Sequence, residues 1–119
     1  MVEDNPMNVL VAQSFLQRWG ASIDVAVNGL EAVNMVDPNK HRLILIDLHM
    51  PVMDGFEASR TMRQNGITMP IIALTANLPS EIERDIKKAG IDDLVVKPFL
   101  PDELYRKVLR YVDSAHTVK

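Results

Sequence analysis

Residues 43–57 read Leu43-Ile44-Leu45-Ile46-Asp47-Leu48-His49-Met50-Pro51-Val52-Met53-Asp54-Gly55-Phe56-Glu57. The stretch changes character twice. Leu43–Ile46 is a short, unbroken apolar run, the pattern of a strand buried on both faces of a parallel sheet. It stops at an acid, Asp47. Asp54, with Glu57 three positions on, then has the form of a capping box and opens a helix. The segment reads as strand, acid, loop and helix, and Asp54 reads as a helix cap rather than a ligand.

The alternation continues outward in both directions. Ile71–Leu74 and the shorter Leu94–Val96 are further apolar runs, and Ser22–Val27 alternates as a half-exposed strand does. Asn28 with Glu31 repeats the capping box. Asn5-Pro6 opens the first helix and Gly20 lies where the chain leaves it. Gly66 and Gly90 end the third and fourth helices. Pro101 opens the last, with Asp102 and Glu103 in a first turn where the helix dipole favours anions. Five strands alternating with five helices predict an α/β domain with a parallel sheet and helices on both faces. Ligands of such sheets bind at the C-terminal strand ends. Residues 1–119 are expected to form one domain, with 114–119 a short tail. Only Met1 and Val2 precede the first acids, against about 5–6 residues in a typical strand. The expectation is that the first strand is shortened relative to a longer natural polypeptide.

The bulk properties narrow the function. The chain has 119 residues, 24% of them charged, and a net charge of −3. No basic patch points to direct nucleic-acid binding. There is no cysteine, hence no disulfide framework or thiol chemistry. No apolar run reaches the roughly 18 residues of a membrane span, and no signal-peptide pattern is present. These features point to the cytoplasm.

In order, the strand ends carry Glu3-Asp4, Asp47, Thr75 and Lys97. Three carboxylates brought to one rim repel one another and call for a cation. Hard oxygen ligands suit Mg2+, which screens the charge of an incoming phosphoryl group. Asp47 then serves as nucleophile, forming an aspartyl-phosphate. Lys97 supplies a mobile positive charge for a phosphoryl oxygen, and Thr75 a hydrogen bond to another.

Four blocks carry a family resemblance: Val2-Glu3-Asp4-Asn5, Asp47-Leu48-His49-Met50-Pro51-Val52-Met53-Asp54-Gly55, Ala73-Leu74-Thr75-Ala76-Asn77 and Val96-Lys97-Pro98-Phe99. In this order and spacing the chain resembles the response regulator receiver domains of two-component systems, most closely in pattern those of hybrid histidine kinases and phosphorelays. The resemblance covers the whole chain. It implies a flavodoxin-like (βα)5 fold with strand order 2-1-3-4-5. It implies that Asp47 accepts phosphate from a phosphohistidine on a sensor histidine kinase or histidine phosphotransfer protein. Glu3, Asp4, Asp47 and the backbone carbonyl of His49 hold Mg2+. Thr75 moves toward the phosphate, Lys97 pairs with it, and the Lys97-Pro98 peptide is cis. Homodimer formation on phosphorylation also belongs to what it implies. The result is a signalling switch with Mg-dependent autophosphorylation and autodephosphorylation, not an enzyme acting on a free substrate. One position departs from the pattern: Leu94 stands where many receivers carry an aromatic residue coupled to the threonine.

The remaining residues have plainer readings. His49 reads as a solvent-facing loop histidine, and Asn77 likewise carries no catalytic role. His41 and His116 read as surface residues, and the methionines as core filler. On a helical wheel Asn8, Val9, Val11, Ala12, Phe15, Leu16 and Trp19 share the core side of the first helix, opposite Gln13, Ser14, Gln17 and Arg18. Met7 and Leu10, with Val11 at the boundary, form an apolar stripe suited to docking a helical, histidine-bearing partner. Other chemistries fit less well. A dehalogenase-type phosphatase wants a second Asp where His49 stands. A flavodoxin-like cofactor site wants a phosphate loop where Glu3-Asp4-Asn5 is acidic. The alternative function is a degenerate receiver acting only as an interaction module, although such domains lose the acceptor, the acids or the lysine.

Overall fold

The computed structural model describes residues 1–3, 6–18, 24–48, 52–76, 79–96 and 101–117. The elements are α1 (Pro6–Arg18), α2 (Gly29–Met35), β1 (Ile44–Asp47), α3 (Gly55–Gln64), β2 (Ile71–Thr75), α4 (Pro79–Ala89), β3 (Asp93–Val96) and α5 (Pro101–Thr117). The strands form a parallel sheet in the order β1-β2-β3. Every residue of β1 and β2 is buried, as their unbroken apolar runs require.

The two further expected strands are present among the described residues only as bridges. Val2 bridges Ala26 on one side and Ile46 on the other, both in parallel. The Val2 N–H donates to the Leu45 carbonyl at 2.7 Å, and the Asp47 N–H donates back to Val2 at 2.9 Å. On the other side Glu3 donates to Ala26 at 3.0 Å, and Ala26 to Met1 at 2.9 Å. Among the described residues the pairing around Val2 extends no further than these two bridges. Ser22 and Ile23 lie outside the described residues.

Alternation along the strands sends side chains to two separate cores. Ile46, Ile71 and Ala73 pack with Ala32 of α2, Ala58 and Met62 of α3, and Ile82 and Ile86 of α4. Leu45, Ile72, Leu74 and Val95 pack with Ala12 and Leu16 of α1 and Leu104 of α5. Helices therefore cover both faces. Burial of a full aliphatic side chain contributes about 1.5–3 kcal/mol, so these two layers hold the strand ends in place.

The predicted caps form. The Asn28 side chain accepts the Glu31 N–H at 2.8 Å, and Asp54 accepts the Glu57 N–H at 2.9 Å. Gly66 and Gly90 take left-handed φ values of +88° and +80°. Just beyond them, Ile67 donates to Met62 at 3.0 Å and Ile91 to Ile86 at 3.1 Å, closing α3 and α4. Asn5 and Gly20 lie outside the described residues.

Some expectations change. Val11, placed on the core side of α1, is exposed, because Ala12 and Leu16 define the buried line and Val11 stands one residue off it. Gln13, placed on the opposite side, is half-buried. α5 runs on to Thr117, through much of the expected tail, since residues 113–117 contain neither Gly nor Pro to stop it. His41 is not a surface bystander. Its ring is half-buried, with Nε2 2.7 Å from the Asp24 carboxylate and Nδ1 accepting the Asp37 N–H at 3.1 Å. Hydrogen bonds from His41 and Lys40 hold the Asp24 carboxyl down to about 2. No helix among the described residues is long and apolar enough to cross a membrane.

Candidate functional site

Parallel pairing places Asp47, Thr75 and Val96, the last residues of β1, β2 and β3, at one edge of the sheet. Val2 pairs with Ile46, so Glu3 lies beside Asp47 on the neighbouring segment. Asp47 pairs with Leu74, which puts Thr75 one step further along. All three side chains are buried: Glu3 is 1% exposed, Asp47 7% and Thr75 0%. Two carboxylates on adjacent segments, both largely withdrawn from water, are costly unless positive charge or hydrogen-bond donors meet them. Their oxygens are the hard donors that Mg2+ takes.

The structure thus brings Glu3, Asp47 and Thr75 to one edge. Asp4, His49 and Lys97 lie outside the described residues, as do Asn77 and the Lys97-Pro98 peptide. Among the described residues no three acidic or histidine side chains are grouped closely enough to hold a metal ion.

Two glycines let helices crowd this edge. The Gly55 N–H donates to Leu48 at 3.1 Å, and a β-carbon on Gly55 would stand 2.5 Å from the carbonyl oxygen of Asp47. No larger residue lets α3 start so close to β1. The Gly29 N–H donates to the Met53 carbonyl at 3.1 Å, and a β-carbon on Gly29 would stand 2.4 Å from that Met53 oxygen. Between these contacts Val52 adopts a left-handed φ of +69°. Leu94 is half-buried against the core on β3, opposite Ala73 of β2.

Two polar networks were not anticipated. Arg63, in the last turn of α3, donates to the carbonyls of Gly90, Ile67 and Met69 at 2.8–2.9 Å and to the Asp92 carboxylate at 2.9 Å. Asp93, opening β3, accepts from Lys107 at 2.9 Å and Tyr111 at 3.0 Å on α5, and from the Leu94 N–H at 2.8 Å. Burial pushes the Asp93 carboxyl up, but these three donors outweigh it and the net shift is downward. Burial and the neighbouring Asp93 push the Tyr111 phenol up. Only a basic residue in the last turn of α3 hinted at the first network. The i, i+4 spacing of Lys107 and Tyr111 on α5 hinted at the second.

The profile of the response regulator receiver domain family matches residues 1–109. The chain is 35% identical to sensor protein GacS of Pseudomonas syringae pv. syringae over 96% of its length, and 34% identical to the aerobic respiration control sensor protein ArcB of Escherichia coli over 96%. It spans only 13% and 15% of those two proteins. Among solved structures it is similar to the receiver domain of a sensor histidine kinase from Pseudomonas aeruginosa, which has a magnesium ion in its active-site cleft. Identity is 37% and the TM-score 0.82, with 94% of this chain and 93% of that one covered. It is also similar to the receiver domain of a Saccharomyces cerevisiae response regulator solved together with a histidine phosphotransfer protein. There identity is 34% and the TM-score 0.83, with 92% and 84% covered.

Proposed function

Because the chain belongs to the response regulator receiver domain family, we propose that it is the phosphoacceptor switch of a two-component system or phosphorelay, with Asp47 the residue phosphorylated. The observation that carries this reading is the buried pair Glu3 and Asp47, side by side where parallel strands end. The five-strand order 2-1-3-4-5 belongs to the same reading, supported by the parallel bridges of Val2 to Ala26 and to Ile46.

Glu3, Asp4, Asp47 and the backbone carbonyl of His49 would hold Mg2+. When bound, the ion neutralises the carboxylates and screens the phosphoryl oxygens. A carboxylate oxygen of Asp47 attacks the phosphorus of a partner's phosphoimidazole. The P–O bond forms as the P–N bond breaks, and the electron pair leaves with the imidazole nitrogen. Lys97 pairs with the added negative charge, and Thr75 donates its hydroxyl hydrogen to a phosphoryl oxygen. Little else is required, because phosphoryl transfer is mainly positioning and electrostatics. Hydrolysis of the acyl phosphate resets the domain, so it acts as a switch rather than as an enzyme on free substrate. A phosphorylation-driven homodimer and a cytoplasmic location complete the proposal.

The donor is a histidine-bearing helical protein of the sensor kinase or phosphotransfer type. The solved complex of a related yeast receiver with such a protein supports this choice. Met7 and Leu10, 68% and 59% exposed on α1, form with Val11 the stripe proposed to receive it.

Intact-mass spectrometry after treatment with acetyl phosphate and Mg2+ tests the chemistry. The wild type should gain one phosphoryl group and Asp47→Asn none; undiminished labelling of the variant would sink the assignment. Met7→Glu combined with Leu10→Glu should keep acetyl phosphate labelling yet slow transfer from a phosphorylated partner. Equal loss in both assays would mean a damaged fold rather than a damaged interface, and transfer at the wild-type rate would count against a docking role.

A further inference from the structure

Val52 is the one non-glycine residue among the described residues with a left-handed φ. A branched β-carbon makes that conformation unfavourable. Packing does not compensate, since Val52 is 76% exposed. Glycine or asparagine would adopt the same backbone at lower cost.

What holds Val52 in place lies on either side of it. The Leu48 N–H donates to Leu74 at 3.3 Å, and the Leu48 carbonyl accepts the Gly55 N–H at 3.1 Å. The chain therefore leaves the end of β1 and returns to within a hydrogen bond of it. The Met53 carbonyl accepts the Gly29 N–H, tying the returning segment to the start of α2. Asp54 caps α3, and Gly55 abuts the carbonyl of Asp47.

We propose that Val52–Gly55 is a latch, closed by the Gly29–Met53 hydrogen bond against the strain at Val52, and that Mg2+ at the Asp47 site favours its closed form. The proposal rests on the metal-site reading above. Gly55 supplies the coupling. Its contact with Asp47 means that opening the latch alters the space around the acceptor, and what binds at the acceptor acts back on the latch by the same free energy. Val52 is on this account a positioning residue, and its strain sets how readily the latch opens.

Amide hydrogen exchange at Gly29, followed by NMR in the full 119-residue chain, tests this. Val52→Asn should slow Gly29 exchange about fivefold or more, the relief expected on leaving a strained left-handed valine. Val52→Ile keeps the branch and should match the wild type. Millimolar Mg2+ should slow Gly29 exchange in the wild type but not in Asp47→Asn, and calorimetry should show Val52→Asn binding Mg2+ more tightly. Unchanged Gly29 exchange in Val52→Asn would overturn the latch. A wild type that binds Mg2+ without any change at Gly29 would overturn the coupling. A wild type that binds no Mg2+ would remove the metal-site reading and the coupling together, while slower Gly29 exchange in Val52→Asn would still support the strained latch.

Discussion

The Arg63 guanidinium donates to the Asp92 carboxylate at 2.9 Å across twenty-nine positions of sequence, and the same carboxylate oxygen accepts the Ile71 N–H at 2.8 Å. One half-buried arginine thus ties the end of α3 to the turn before β3 and, through Asp92, to the first residue of β2. Hydrogen bonds from charged donors are worth about 1.5–3 kcal/mol each at most, and their losses do not add. Arg63→Ala should therefore lower unfolding stability by about 2–4 kcal/mol in urea titration. Arg63→Lys should recover little, because an ammonium cannot reach several carbonyls as a planar fork does. A loss below ~0.5 kcal/mol would show that water replaces the network without cost.

Gly55 and Gly66 separate two reasons for glycine. Gly55→Ala puts a methyl group 2.5 Å from the Asp47 carbonyl oxygen and must push α3 away. It should cost about 1–3 kcal/mol and slow labelling by acetyl phosphate. At Gly66 nothing lies within 4 Å, and only the φ of +88° opposes alanine. Gly66→Ala should cost about 1–2 kcal/mol and leave the labelling rate alone. Equal labelling rates for both variants would contradict the role given to Gly55.

Ser59 of α3 is fully buried, and its hydroxyl has no hydrogen-bond partner among the described residues. A buried hydroxyl without a partner costs about 1–3 kcal/mol in desolvation. Ser59→Ala removes that cost and only one atom of packing. The urea midpoint should rise, equivalent to about 1 kcal/mol. A fall would mean that the hydroxyl finds a partner in solution.

The Asp93–Tyr111 contact predicts a pH dependence on both flanks. Folding lowers the Asp93 carboxyl, so its contribution is present above the ordinary aspartate range and is lost as pH falls through the folded value. Folding raises the Tyr111 phenol, so its contribution is present below the ordinary tyrosine value and is lost as pH rises through the folded one. Tyr111→Phe should flatten the alkaline flank of a stability–pH curve and move the Asp93 titration upward. NMR titration of the Asp93 carboxyl carbon checks the second point, and an unmoved titration would show that Tyr111 does not reach Asp93.

Much of this protein was legible from short-range signals. Asn28 and Asp54 cap helices because each accepts an N–H only three residues away. Gly66 and Gly90 end helices because their own backbones turn left-handed. The apolar runs at Ile44–Ile46 and Ile71–Leu74 became strands buried on both faces, and that burial places Asp47 and Thr75 at a common edge. Such signals act within a turn or a strand, so the local residues determine them.

Contacts between distant segments carry no comparable mark. Arg63 was one basic residue among several until tertiary packing brought Gly90 and Asp92 to it. His41 looked like a surface residue until the fold brought Asp24 within 2.7 Å of its ring. The left-handed turn at Val52 runs against that residue's own preference, and the hydrogen bonds that enforce it join Leu48 to Gly55 and Gly29 to Met53. The amino-acid sequence determined the elements and the acids at their ends. Only the tertiary structure decided which of those groups meet, because a hydrogen bond depends on where both partners lie, and a residue's neighbours in sequence record the place of only one.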